Sequence, residues 1–130
     1  MSPKDERFPK GLRLRRRREF LSVQRSHHRF VTSHFIVYAR RAAADAQRIG
    51  ITVSRKVGKA HDRNRVKRLV REAFRRNRSH LPMGLSVVFV ARQGRPAMAY
   101  EAVQTELVTA FKELKTQVYQ SRSKKRRSRS

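Results

Sequence analysis

The fold is decided by one stretch, Gly50–Arg75, which reads GITVSRKVGKAHDRNRVKRLVREAFR. Apolar β-branched residues alternate with small or polar ones around its start: Ile49, Ile51 and Val53. This period of two predicts a half-buried strand over residues 48–55. Gly58 ends the extended part, and Asp62 has the side chain of a helix N-cap. The stretch therefore predicts a strand, a turn and a helix, in that order.

The second half of the stretch has the period of an amphipathic helix over residues 63–75. Its apolar residues recur at i, i+3, i+4, i+7 and i+8: Val66, Leu69, Val70, Ala73 and Phe74. They project onto an arc of about 140°, which indicates a face packed on a core. The other side is polar and cationic, made of Asn64, Arg68, Arg71 and Arg75, with Arg65 and Lys67 beside them.

The cationic face has few acids to balance it. Like charges at helical spacing destabilise a helix by a few tenths of a kcal/mol per pair, and Glu72 is the only acid that follows Asp62 in this helix. A basic helix face is ordinarily just a solvated surface. Here two further basic clusters, in Lys10–Arg18 and in the C-terminal tail, favour binding to phosphate, which the planar fork of arginine suits.

Composition supports an anionic partner. The 130 residues contain 34 Lys or Arg and 9 Asp or Glu, for a formal net charge of +25. Such self-repulsion is relieved by nucleic acid, whose counterions are released on binding, or by an anionic membrane surface. The sequence lacks a membrane-spanning apolar run, a signal peptide and any cysteine, so we expect a cytoplasmic protein without disulfides or thiolate zinc sites.

The rest of the chain completes a two-layer α/β arrangement. A short helix is expected with Leu14, Phe20 and Leu21 on one face, followed by a polar loop over residues 26–33. Residues 34–40 predict a strand that is hairpinned to the strand over 48–55. A third strand is expected over residues 85–91 and a turn with Gly94 and Pro96 over 94–96. A second long amphipathic helix is expected over residues 100–119, with an apolar stripe of Val103, Leu107, Phe111, Leu114 and Val118. The expected layout is a flexible basic arm (1–11), one domain (12–119) and a disordered Ser/Arg/Lys tail (120–130).

These motifs together resemble the bacterial ribonuclease P protein family. The resemblance is carried by the strand ending in Ser54-Arg55-Lys56, the glycine-containing turn and the helix that starts Arg63-Asn64-Arg65. Arg18-Glu19-Phe20 and Phe35–Tyr38 extend it, so that it covers about Lys10 to Leu114. It implies an α+β sandwich with a left-handed βαβ crossover, whereas the ordinary rule for parallel strands predicts a right-handed one.

The resemblance also implies a function. The family supplies the protein subunit of ribonuclease P, which with a catalytic RNA removes the 5′ leader from precursor tRNA. The expected partners are that catalytic RNA and the leader, with neither DNA nor membrane, and the Mg²⁺ is expected on the RNA rather than on the protein alone. The residues agree, because the nine acids and five histidines of the sequence form no visible catalytic or metal-binding motif. We therefore predict no catalytic residue and no metal ligand.

Two RNA surfaces follow from the resemblance. The helix is expected to dock on the catalytic RNA through Arg63, Asn64, Arg65, Lys67, Arg68 and Arg71. A groove for the single-stranded leader is expected from Phe20, Ile36, Tyr38, Ser54, Lys56 and Lys59. Phe20 and Tyr38 also suit an ordinary core. Gln24 stands where the family often has a second aromatic residue, and Arg92 is a further candidate contact.

Other functions remain open on composition alone. A ribosomal or other structural RNA-binding protein fits the charge and size equally well. A DNA-binding protein could insert the basic helix into a major groove, but the preceding helix and tight turn of a helix-turn-helix are missing. A membrane-surface helix is disfavoured, because the apolar face is needed to cover the sheet.

Overall fold

The computed structural model describes residues 13–93 and 98–128, the last eight of these by their backbone alone. Their elements, in chain order, are α1 (Arg17–Gln24), β1 (His28–Val31), β2 (Phe35–Arg41), β3 (Gln47–Thr52), α2 (Ala60–Asn77), β4 (Leu85–Ala91) and α3 (Tyr100–Ser128). A short 3-10 turn, Arg78–His80, follows α2. The expected arm at residues 1–11 and the expected turn at 94–96 lie outside the described residues.

The four strands form one mixed sheet in the order β1-β2-β4-β3. β2 and β4 pair antiparallel, whereas β3 and β4 pair parallel and are joined through α2. The expected α+β architecture is confirmed, but the expected hairpin of residues 34–40 with 48–55 is wrong. β4 lies between those two strands because it is apolar on both faces, which suits a central position. The left-handed sense of the crossover stays a prediction.

β1 is a strand where the sequence predicts a loop. Its residues alternate between half-buried and exposed, with Arg29 and Val31 on the exposed side. The two-residue turn after it is closed by Thr32, whose backbone N–H donates to the carbonyl of Phe35 over 2.8 Å. The polar composition of this strand resembles that of a loop, because an edge strand with one solvated face needs few apolar side chains.

Two helices cover one face of the sheet and enclose the main core. Phe74 of α2 stacks on Phe111 of α3, with ring centroids 6.0 Å apart, and Phe111 lies 6.2 Å from Phe89 of β4. The apolar stripes expected on both helices are confirmed as buried, apart from the half-buried Leu69. α2 begins after Lys59, so the N-cap expected at Asp62 is wrong; Asp62 lies in the first turn, where a carboxylate complements the helix dipole.

The opposite face of the sheet, called here the outer face, is only partly covered by α1. A small cluster of Leu14, Val23 and Val88 holds the helix down. Leu14 lies before α1 rather than on it, contrary to expectation, and its backbone N–H donates to the carbonyl of Ile49 over 2.9 Å. This bond fixes the incoming chain along β3 and leaves the part of the outer face beyond α1 open.

α3 continues to Ser128, whereas the sequence predicts a helix end near Tyr119. No glycine or proline occurs in residues 120–128 to stop the helix. Val118 is the last core residue of α3 among the side chains described. The domain boundary at residue 119 and the disorder of the tail stay predictions. None of the described helices is long and apolar enough to cross a membrane.

Candidate nucleic-acid interface

The six residues expected to contact the catalytic RNA all lie on α2. Asn64, Arg65, Arg68 and Arg71 are exposed, and Arg63 and Lys67 are half-buried. We call these six residues the α2 face. Five of them lie outside the buried stripe, whereas Arg63, in the first turn, is in line with Val66 and Val70 of the stripe, because residues three and four apart are neighbours on a helix.

Two arginines of the α2 face are held in place by backbone carbonyls. Nη1 of Arg63 donates to the carbonyl of Gly58 over 2.9 Å, and Nη2 of Arg65 donates to that of Met98 over 3.0 Å. A guanidinium has five N–H donors, so each of these two arginines has further donors that can bind a ligand. Because these side chains are already held in place, they lose less conformational entropy when they bind a ligand.

Arg75 is different, although the helix projection places it with the cationic residues. It is paired with Glu72, which also accepts from Nε of Arg76 over 2.7 Å. The hydrogen bond from Arg75, together with that from Arg76, lowers the pKa of the Glu72 carboxyl despite partial burial. Arg75 therefore shares the single negative charge of Glu72 with Arg76, and the more strongly cationic surface is centred on the first three turns of α2.

Arg71 lies close to a second arginine that sequence reasoning did not place there. Partial burial lowers the pKa of the Arg71 guanidinium, and the positive charge of Arg13 lowers it further. Arg13 reaches this position because its segment runs beside β3, in register with Ile49. The only sequence signal was the basic cluster around residues 10–18, which does not indicate where that cluster lies.

The expected leader groove corresponds to the open part of the outer face. Cross-strand pairing puts Val31, Ile36, Val90 and Thr52 side by side in one row across all four strands. At the usual strand spacing the row is about 14 Å wide. Val31 is 48 % exposed, and Ile36, Val90 and Thr52 are intermediate. This row forms an apolar floor, called the groove floor below.

Phe20 and Tyr38 lie at the edge of the groove floor nearest α1. Both are half-buried and pack against the small cluster under the helix. A Cβ built on Gly50 would lie 2.6 Å from Cε2 of Phe20, so the ring rests directly on the backbone of β3. The two rings are thus anchored by core contacts and still have accessible surface, which reconciles the two roles that the sequence left open.

The rim of the groove is the segment between β3 and α2. Ser54, Lys56 and Lys59 are exposed there, while the buried Val57 anchors the segment to the main core. The backbone N–H of Val57 donates to the carbonyl of Ser54 over 3.0 Å, which closes a turn. The cationic rim therefore leads directly into the first turn of α2.

Gln24, which stands in place of a family aromatic, and Arg92, the further candidate contact, both have defined positions. Gln24 is half-buried at the end of α1. Arg92 donates from Nη1 to the carbonyl of Thr32 over 2.9 Å, and its backbone N–H donates to that of His34. Arg92 therefore ties the end of β4 to the turn between β1 and β2.

Sequence reasoning missed three residues of the groove floor: Val31, Val90 and Thr52. Thr52 and Val90 could have been found, because each alternates with the buried residues of its own strand. Val31 could not, because the polar residues around it predict a loop rather than the strand β1.

Within residues 13–93 and 98–128, no three His, Asp or Glu side chains are grouped so that they could hold a metal ion. Nδ1 of His34 lies 2.5 Å from Oε2 of Glu106, and the backbone N–H of His34 donates to Oε1 over 2.8 Å. Although burial opposes it, hydrogen bonds from Thr32 and His34 lower the pKa of the Glu106 carboxyl. This pair joins the turn after β1 to α3 and is satisfied without a metal.

Comparison with known proteins gives consistent matches. A family model described as Ribonuclease P matches residues 8–115. A ribonuclease P protein component from Desulfovibrio desulfuricans is 42 % identical over 111 residues, covering 82 % of this chain and 85 % of the relative. One from Geobacter sp. is 38 % identical over 108 residues, covering 83 % and 92 %.

Solved structures agree with the sequence matches. The ribonuclease P protein from Thermotoga maritima superimposes with a TM-score of 0.70 at 36 % identity, covering 77 % of this chain and 94 % of the other. The Staphylococcus aureus ribonuclease P protein gives 0.69 at 31 % identity, covering 79 % and 94 %. The chain therefore belongs to the ribonuclease P protein family, the protein component of the ribonucleoprotein endoribonuclease that processes the 5′ end of precursor tRNA.

Proposed function

We propose that this chain acts as an RNA-bridging subunit without catalytic groups of its own. The groove on the outer face binds the single-stranded 5′ leader of precursor tRNA. The α2 face binds the catalytic RNA of ribonuclease P. The Mg²⁺ ions that drive hydrolysis are held by that RNA, and the protein raises the preference for precursor over mature tRNA.

The shape and chemistry of the groove support leader binding. A flat apolar floor flanked by two half-buried aromatic rings suits unpaired bases, because stacking on an aromatic side chain contributes about 1–3 kcal/mol per base and tolerates any base. The exposed Lys56 and Lys59 at the rim supply charge for the phosphates between those bases. A leader of variable sequence needs this kind of recognition rather than a reading of base edges.

The α2 face supports contact with a folded RNA. Arg68 and Arg71 are exposed, and neither is in an ion pair among the described residues. Each phosphate that such a side chain neutralises releases condensed counterions, which makes the binding salt-dependent. Cations from the protein at this surface would also reduce the Mg²⁺ concentration that two closely packed RNAs require.

One observation carries the proposal: the two surfaces adjoin. The groove rim ends at Lys59, which is the N-cap of α2, and Arg63 donates back to the carbonyl of Gly58 in that rim. A leader held in the groove would therefore emerge beside RNA held by α2. This is the arrangement needed to present a cleavage site to a catalytic RNA.

Reconstitution tests the proposal. The purified protein should restore precursor cleavage by a cognate catalytic RNA at low Mg²⁺, and should cleave nothing when the RNA is omitted. A structural RNA-binding protein would bind the RNA without restoring cleavage. Cleavage by RNA-free protein would contradict the absence of catalytic groups.

A further inference from the structure

A second cationic surface lies on the outer face, on the side of α1 away from the groove. Two residues along each strand from Tyr38, Val88 and Gly50, the outer face of the sheet presents the next row: Arg40, Ser86 and Arg48. The start of α1 adds further arginines beside this row. We call the set the back surface: Arg15, Arg16, Arg18, Arg40 and Arg48.

The back surface has one acid, and that acid is already satisfied. Oε1 of Glu19 accepts from the backbone N–H groups of Arg15 and Arg16, at 3.1 and 2.9 Å. Oε2 pairs with Nη2 of Arg48 at 2.9 Å. The hydrogen bonds from Arg16 and then Arg15 lower the pKa of this carboxyl to about 2, with a further contribution from Arg48. Glu19 therefore neutralises Arg48 alone.

The other four arginines are exposed and have no ion pair among the described residues: Arg15, Arg16, Arg18 and Arg40. Arg40 donates to Oγ of Ser22. This contact orients the guanidinium group without cancelling its charge. An anion bound here would relieve the repulsion among four unpaired cations.

The surface is concave. A cavity of about 220 Å³ lies between α1 and the sheet, bordered by Ser22, Ser86, Arg40, Arg41 and Arg48. A wider depression of about 830 Å³ adjoins it along Arg15, Arg16 and Arg18, and the two share Glu19 and Arg48. The lining thus offers guanidinium and hydroxyl donors, which are the groups that bind phosphate oxygens.

The back surface, unlike the groove, has no aromatic ring available for stacking among the described residues. None of the described residues that line the cavity and the adjoining depression is aromatic. The rings of Phe20 and Tyr38 pack on the small cluster under α1, at the edge of the groove. Binding here depends on phosphates rather than on unpaired bases, which is how double-helical RNA is recognised.

We propose that the back surface binds the sugar–phosphate backbone of a double-helical part of the catalytic RNA. The inference rests on the proposed function in assuming that RNA as the partner. It places this contact on the side of α1 opposite the leader groove, so that α1 lies between the leader and a double-helical part of the catalytic RNA.

The test is the affinity of the full-length protein for the catalytic RNA without tRNA, measured across a salt series. Arg16→Gln with Arg18→Gln removes two exposed charges that make no described side-chain hydrogen bond or ion pair. We expect about 10- to 100-fold weaker binding, and a log K against log salt slope that is smaller by about 2. The matched control is Arg78→Gln with Lys112→Gln, two exposed cations elsewhere, which should change the affinity by less than about threefold.

Three outcomes would overturn the inference. The first is an unchanged affinity and slope in Arg16→Gln/Arg18→Gln. The second is an equal loss in the control, which would mean that net charge alone acts. The third is a loss confined to the preference for precursor over mature tRNA, which would make the leader the occupant. The proposed function is judged separately, since reconstituted cleavage and the response to Arg68→Ala do not depend on the back surface.

Discussion

The ring of Phe20 lies against the backbone of Gly50, so closely that a methyl group on Gly50 would come within 2.6 Å of Cε2 and 2.8 Å of Cζ. This contact sets the height of the aromatic ring above the sheet. The contact joins Gly50 of β3 to Phe20 of α1. Gly50 therefore helps to set the shape of the groove.

Gly50→Ala is therefore expected to displace the Phe20 ring. The obstacle is the far end of a side chain, so the fold should survive with a loss of about 1–2 kcal/mol in the free energy of unfolding. The ratio of precursor to mature tRNA affinity should fall severalfold. In the Phe20→Ala background the same substitution should have little further effect on that ratio, since it acts through the ring. Independent, additive effects would contradict this coupling.

Phe20→Ala itself should lower the preference for precursor over mature tRNA. Loss of one stacked base corresponds to about 1–3 kcal/mol, or roughly 5- to 150-fold. Binding assays with both tRNAs measure the ratio. Leu21→Ala, on the same helix but outside the small cluster under it, is the control. An unaltered ratio in Phe20→Ala would remove the ring from the leader site.

Arg68→Ala should weaken binding to the catalytic RNA about tenfold and reduce the salt slope by about 1, because one charge-assisted phosphate contact is lost. Arg76→Ala removes the same charge from the same helix. Since Arg76 is already paired with Glu72, its loss should have a much smaller effect. Equal effects of the two substitutions would indicate that only net charge matters.

Glu19→Gln should reveal the pH dependence of the carboxylate that holds the start of α1. The pKa of Glu19 is lowered to about 2 in the folded chain, so its contribution is present above its ordinary pKa of about 4.3 and is lost as the pH falls toward 2. The wild-type protein should be more stable than the variant at pH 7. That difference in the free energy of unfolding should shrink between about pH 4.5 and pH 2. A difference independent of pH would exclude the ionised carboxylate as the cause.

Phe111→Ala should destabilise the whole domain, because this fully buried ring packs on both Phe74 and Phe89. Truncations of this kind cost about 3–5 kcal/mol, a large part of a total stability of about 5–15 kcal/mol. Urea denaturation measures the change, and Phe111→Leu should recover much of it. A cost below about 1 kcal/mol would mean that α2 does not depend on α3 for its position.

The sequence predicted most residues of the two candidate surfaces but not how they meet. Helical period places Asn64, Arg68 and Arg71 opposite the apolar stripe, with Arg65 and Lys67 beside them, whatever lies elsewhere in the chain. Arg63 is predicted only by the family resemblance. The groove floor could be predicted only in part. Ile36 belongs to a clear strand, whereas Val31 lies in a polar edge strand, and its place beside Ile36 depends on pairing between strands. The ion pair of Glu19 with Arg48 also joins residues far apart in the chain, which no local pattern encodes.

What the sequence by itself determined are the elements whose signal is local: the stripe of Val66, Val70 and Phe74, the apolar run of β4 and the long face of α3. Backbone geometry repeats every 3.6 or 2 residues, so these periods are visible in the chain alone. Only the tertiary structure decided that β4 lies between β2 and β3, that Arg13 approaches Arg71, and that Arg40 and Arg48 lie beside α1 on the side away from the groove. Those relations join residues far apart in the chain, and they depend on which apolar faces can be buried together.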